Sequence, residues 1–163
     1  MLTRRTLLSA WAAALAASAI GATSEVVSAG ERARLVVIVA KTSPINELSL
    51  AQLRRMYMGE PVDSEGQRLI PINHGPSVNE RLAFDRLVLG MSKEEVSRYW
   101  IDRRIRGQSG APKAIDPEDV HQRVVAKLTG AVGYVRSTEV RNEAKIVRID
   151  GKGPNDRGYP LEL

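Results

Sequence analysis

The chain contains no cysteine. That excludes a disulfide framework, a thiolate metal site, a cysteine nucleophile and a lipid-modified cysteine at an export junction. Histidine is scarce. His74 and His121 lie far apart in sequence and form neither an HxH nor an HExxH spacing, so no metal site is expected. Aromatic residues make up 4% of the sequence, too few to line a stacking track for single-stranded nucleic acid, and no nucleic-acid partner is expected. There is no GxSxG elbow and no plausible Ser-His-Asp order. The chain therefore reads as a non-enzyme, without catalytic residues and without a cofactor.

What remains is an ordinary soluble composition. Hydrophobic residues at 43% and charged residues at 26% over 163 positions suit one domain with a real core. The formal charge is +5. Its densest basic cluster, Arg98, Arg103, Arg104 and Arg106, reads as a solvated helix face, with an acidic partner surface or anionic ligand as the other option.

The first 29 residues read as an address. Arg4 and Arg5 precede an uncharged run from Leu7 to Ile20, and small residues at Ala17–Ala19, Ile20–Ala22 and Val27–Ala29 offer cleavage points. As a helix, that run would span about 21 Å, short of a membrane core of about 30 Å. It is expected to be a cleaved signal segment rather than an anchor, sending the protein to the periplasm or outside the cell. Thr3-Arg4-Arg5-Thr6-Leu7-Leu8 also looks like a twin-arginine signal. Removing Arg4, Arg5 and Glu25 takes the charge from +5 to +4, so the remainder, residues 30–163, stays basic.

In that remainder, strands and helices alternate. Residues 35–40 form a continuous apolar run, the pattern of a strand buried on both faces. Ser49 with Gln52 has capping-box spacing and opens a helix with an apolar stripe of Leu50, Leu53 and Tyr57, ended by Gly59. Residues 69–72 form a short strand, whose Pro71 suits an edge or a strand end. Ser77 with Glu80 and Ser92 with Glu95 repeat the box spacing, and Val96, Tyr99 and Trp100 share a helix face. Asp116-Pro117 reads as an N-cap followed by the first helical position, and Val120, Val124, Val125 and Leu128 as that helix's core face. Residues 131–135 and 145–149 supply two further strands, and the tail after Asp150 is turn-rich. The alternation predicts an α/β fold with a mainly parallel sheet flanked by helices, in which ligands gather at strand ends and helix starts.

Several stretches resemble the phosphate-binding proteins of ABC transporters, specifically their second lobe. Residues 48–59 are similar to that family's helix ending in a glycine. Arg81-Leu82-Ala83-Phe84 followed by Val88-Leu89-Gly90 resembles its helix after the ligand loop. Tyr99-Trp100, Gly107, Pro112, residues 130–135, Ile149-Asp150-Gly151 and Gly158-Tyr159-Pro160-Leu161 look like the remaining landmarks, in order. The resemblance implies a single-lobe periplasmic-binding-protein-like domain, a phosphate or other small oxyanion as ligand, and a membrane permease or a second copy as partner.

Two departures qualify what the resemblance implies. The family clamps its anion between two lobes in a chain about twice as long. Its Gly-Ser-Gly-Thr ligand loop is replaced by Ser77-Val78-Asn79-Glu80, with Asn73-His74 near its arginine position. A capping box from Ser77 to Glu80 would occupy the N–H groups an anion needs, and Glu80 adds negative charge there. Against this, Arg81 offers a fork of donors, and His74 and Asn79 are polar neighbours. His74 by itself reads as a hydrogen-bonded surface residue. Thr42 and Ser43, just after the first strand, either face the same site or shape the turn together with Asn46. The candidate oxyanion set is therefore Thr42, Ser43, His74, Ser77, Asn79 and Arg81. The alternative is a structural or interaction domain that kept the fold and lost the ligand.

Overall fold

The apolar run at residue 35 becomes the inner strand of the sheet. A computed structural model describes residues 33–108 and 110–163, so the signal segment, its cleavage points and the twin-arginine motif lie outside the described residues. In β1 (Leu35–Ala40), the five residues Leu35 to Val39 are fully buried. Alternate side chains point to opposite faces of a strand. Accordingly Leu35, Val37 and Val39 enter one core cluster, while Val36 and Ile38 enter a second on the other face.

The elements follow as β2 (Glu47–Leu48), α1 (Leu50–Tyr57), the small hairpin β3 (Asp63–Ser64) and β4 (Gln67–Arg68), β5 (Ile70–Asn73) and α2 (Asn79–Phe84). A π-helical turn, Asp85–Leu89, leads to α3 (Lys93–Ile105), β6 (Lys113–Ala114), α4 (Glu118–Lys127), β7 (Ala131–Arg136) and β8 (Ala144–Ile149). Six strands form one sheet in the order β2-β8-β1-β7-β5-β6. β7, β5 and β6 run parallel, as do β8 and β2, while β1 is antiparallel to both β7 and β8. Five strands thus share one direction and β1 opposes them, which meets the mainly parallel expectation. Pro71 is not on an edge strand. It pairs only toward β7, because β6 joins β5 at Ile72 and Asn73.

Two of the three expected capping boxes form. Ser49 Oγ accepts from the Gln52 N–H at 3.0 Å while Gln52 Oε1 accepts from the Ser49 N–H at 2.8 Å. Ser92 and Glu95 do the same at 3.2 and 2.7 Å. The third box does not form. α2 starts at Asn79 behind Val78, with no side-chain cap. With Val78 at the cap, Ser77 lies one residue too early to close the box; its Oγ accepts from Lys93 Nζ, and Glu80 turns to Arg136.

The core face of α4 also differs from expectation. His121, Gln122 and Val125 are buried, Val120 and Val124 only partly, and Leu128 stays 41% exposed. The cause lies at Gly133, where a Cβ would stand 2.5 Å from His121 Nε2 and 2.6 Å from Val125 Cγ2. The bare glycine lets the helix approach along that face. Gln122 is satisfied there, donating to Glu118 Oε1 and the Glu139 carbonyl and accepting from the Arg141 N–H. Asp116 is not the helix cap, since Pro117 holds that position. Its carboxylate instead accepts from the Gly75 N–H at 2.8 Å.

Candidate functional site

The carboxyl ends of β5 and β7 meet the starts of α2 and α4 at one end of the sheet. Four of the six candidate residues lie here, in two layers. Ser77 and Asn79 are exposed, whereas His74 and Arg81 are buried. Ser77 Oγ lies 3.0 Å from Lys93 Nζ, which places a cation and a hydroxyl side by side on the surface. Lys93, the first residue of α3, is not among the expected site residues, because nothing in the sequence around it links it to Ser77, 16 positions earlier.

Arg81 is committed to the interior. Its Nε donates to both oxygens of Asp85 at 2.8 and 2.7 Å, and Nη1 donates to the His74 carbonyl at 3.2 Å. The pair is one helical turn apart, with both side chains under a tenth exposed. Burial pushes the Asp85 carboxyl up, opposed by Arg81. Arg81 therefore braces the loop from beneath.

His74 is not a surface residue but 1% exposed. Its Nε2 sits 2.9 Å from the Tyr134 carbonyl, and its Nδ1 is 3.4 Å from Asp116 Oδ1, too long for a strong bond. Its ring stacks on His121 with centroids 3.9 Å apart. Separated in sequence, the two histidines are neighbours in space because β5 and α4 pack against each other. Asn73 completes the layer, its Oδ1 accepting from the Tyr134 hydroxyl and from the His74 N–H. Among the described residues, no group of three or more His, Asp or Glu side chains is arranged to hold a metal ion.

The rim is rich in acids. Glu80 pairs with Arg136. Burial acts to raise its carboxyl, but the Arg136 bond, its own backbone N–H and the Arg136 charge hold it below the ordinary value. Glu118 is pushed up to about 7, by burial first and then by sharing a proton with Glu139 and facing its charge. His121 is pushed down to about 4, mainly by burial and then by His74.

The two shifts have opposite consequences for stability. A carboxyl that holds its proton in the fold favours the native state at low pH, and that contribution is lost as pH rises from 4.5 to about 7. A histidine kept neutral in the fold favours the native state above pH 6.5, and that contribution is lost as pH falls toward 4. Glu118→Gln should therefore gain stability over the parent protein as pH rises through 4.5 to 7, with the advantage shrinking again in acid. Melting temperatures of both proteins across that range check the slope. A constant offset would show that Glu118 titrates normally.

Thr42 and Ser43 are not part of this end. β1 is antiparallel to β7, pairing Leu35 with Arg136 and Ile38 with Gly133, so its carboxyl end lies at the opposite end of the sheet. There Ser43 Oγ accepts from the Ile45 N–H at 3.2 Å, and Asn46 Nδ2 donates to the Pro44 carbonyl at 3.0 Å. This is the turn-shaping role.

The architecture is similar to that of solved phosphate-transport proteins. An ABC-type phosphate transport receptor from Vibrio cholerae superposes with a TM-score of 0.60 at 21% identity, over 75% of this chain and 48% of its own. A putative phosphate ABC transporter substrate-binding protein from Clostridium perfringens, solved with bound phosphate, gives 0.60 at 19%, over 75% and 47%. PstS from Borrelia burgdorferi gives 0.59 at 14%, over 80% and 54%. The chain spans about half the length of these structures, in keeping with a partial lobe. The likeness carries the fold. No family model matches the sequence, and no curated protein matches it. Among the described residues, no helix is long and apolar enough to cross a membrane.

Proposed function

We propose that the chain is an exported, non-catalytic solute-binding module that holds phosphate or another small oxyanion weakly at the loop following β5. The observation that carries this reading is the Lys93 ammonium resting on Ser77 Oγ, beside exposed Asn79, in a fold similar to phosphate-binding proteins. An ammonium, a hydroxyl and an amide are donors that suit an oxyanion. The site is open on one side, and a second copy of the chain or a membrane permease would complete it. Residues 1–29 supply the export signal in this reading.

Glu80 is what keeps the isolated site weak. Its carboxylate occupies the start of α2 and takes Arg136 as its own partner. A bound anion would compete with that internal carboxylate. Glu80→Gln is therefore expected to tighten phosphate binding about tenfold, the effect of removing one nearby like charge at an intermediate dielectric. Lys93→Ala should abolish it.

Melting temperature against phosphate, sulfate, molybdate and small carboxylates tests both variants. Saturation at 100 times the dissociation constant would add about 2.7 kcal/mol of apparent stability. No shift at millimolar anion, in the parent protein or in Glu80→Gln, would end the solute-binding reading for the isolated chain. The second reading, an interaction domain that kept the fold, is favoured by one specific observation. The Arg81 guanidinium is spent on Asp85 and the His74 carbonyl, and His74 Nε2 on the Tyr134 carbonyl, rather than turned toward the surface.

A further inference from the structure

The opposite end of the sheet, at the carboxyl end of β1, holds a polar cavity of about 190 Å³. The turn after β1 contributes Thr42 and Ser43, β4 contributes Gln67, the end of α4 contributes Lys127, and the α4–β7 turn contributes Thr129 and Gly130. From this composition we infer a small-oxyanion site at this end, separate from the loop following β5, in which the Lys127 ammonium, the Thr42 and Thr129 hydroxyls and the Gln67 amide hold the ligand.

Three observations support it. First, no carboxylate lines the cavity, in contrast to the α2 end with Glu80, Asp116, Glu118 and Glu139. One unit of positive charge with neutral donors matches a small anion, while a cation would meet Lys127. Second, the side chains of Thr42, Gln67, Lys127 and Thr129 make no hydrogen bond or ion pair among the described residues. Their donors are free for a ligand. Third, the walls are fixed. Gly130 has φ +79, and a Cβ there would overlap the Arg68 carbonyl, so only glycine allows the α4–β7 turn to press against the β4 backbone. The Gly130 carbonyl accepts from the Ile70 N–H at 2.9 Å, tying that turn to β5. On the other wall, Lys145 Nζ donates to the Ser43 carbonyl at 2.6 Å and to Asn46 Oδ1 at 2.7 Å, which holds the loop and adds a second positive charge behind it.

The proposed site goes beyond the function proposed above and stands or falls separately from it. The test is a titration of the isotope-labelled protein with inorganic phosphate and in parallel with sulfate, followed by amide chemical shifts. Saturable shifts are expected at Thr42, Gln67, Thr129 and Gly130. Lys127→Gln should weaken them at least tenfold, and the paired change Thr42→Val with Thr129→Val at least threefold. Lys93→Ala should leave them unchanged. These substituted side chains are exposed, so folding is expected to be preserved, and the unchanged spectrum of distant residues checks it. Shifts confined to Ser77–Glu80 and lost in Lys93→Ala would overturn this site while supporting the loop after β5. Saturable shifts at this end that survive Lys127→Gln would also overturn it, as would an absence of saturable shifts anywhere.

Discussion

Asp85→Ala is expected to lower the unfolding free energy by about 3–5 kcal/mol, because it strands the Arg81 guanidinium in the interior. Arg81 is 7% exposed and Asp85 3% exposed, so water cannot replace the missing partner. Both carboxylate oxygens are used by Arg81 Nε, and the guanidinium reaches on to the His74 carbonyl. Arg81→Ala should cost a similar amount, by stranding a carboxylate that burial already disfavours. The double change Arg81→Met with Asp85→Leu should recover most of the loss, because a buried pair adds little net stability over well-packed apolar groups. Urea midpoints of the two single variants and the double variant measure this cycle. Single-variant losses below about 1 kcal/mol would mean that solvent reaches the pair. A loss of anion binding in Arg81→Ala would accordingly report a collapsed loop, so Lys93 is the better probe of the surface site.

Tyr134→Ala should be at least as damaging, at about 4 kcal/mol or more, from aromatic truncation plus a lost buried hydrogen bond. The ring is fully buried, stacks on Phe84 with centroids 4.0 Å apart, and meets Tyr57 edge-on at 5.8 Å. Its hydroxyl donates to Asn73 Oδ1, the atom that also receives the His74 N–H. Tyr134→Phe keeps the stacking and removes only that donor, so it should cost about 1–3 kcal/mol. If Phe proves as costly as Ala in urea denaturation, the hydrogen bond to Asn73 rather than the packing anchors β7 to β5.

Local signals were legible and long-range ones were not. The β1 run, the boxes at Ser49 and Ser92 and the strands near 131 and 145 depend on near neighbours, and they appear where the sequence pattern puts them. Ser77 with Glu80 has the same spacing, yet Val78 holds the cap, and the two residues pair with Lys93 and Arg136, distant in sequence. Likewise the apolar periodicity of α4 pointed to Val120, Val124, Val125 and Leu128, of which Val125 alone is fully buried, while the decisive feature was an absent side chain on a strand, at Gly133. The candidate site fared similarly. The candidate set rested on the resemblance together with the α/β alternation, and the reversed direction of β1 separates Thr42 and Ser43 from its other members. His74 looked like a surface residue because nothing nearby in sequence marks the stack on His121.

That reversed strand also bears on the order in which the protein is made. Of the described strands β1 is the first to be made, and both of its sheet partners, β7 and β8, follow roughly a hundred residues later. The Leu35 N–H waits longer still, for the Leu161 carbonyl near the end of the chain. Until then, five consecutive apolar residues lack their pairing edges, a segment prone to sticking and suited to chaperone capture. Folding that depends on such distant contacts is slow, and the sheet closes only once β7 and β8 have been made.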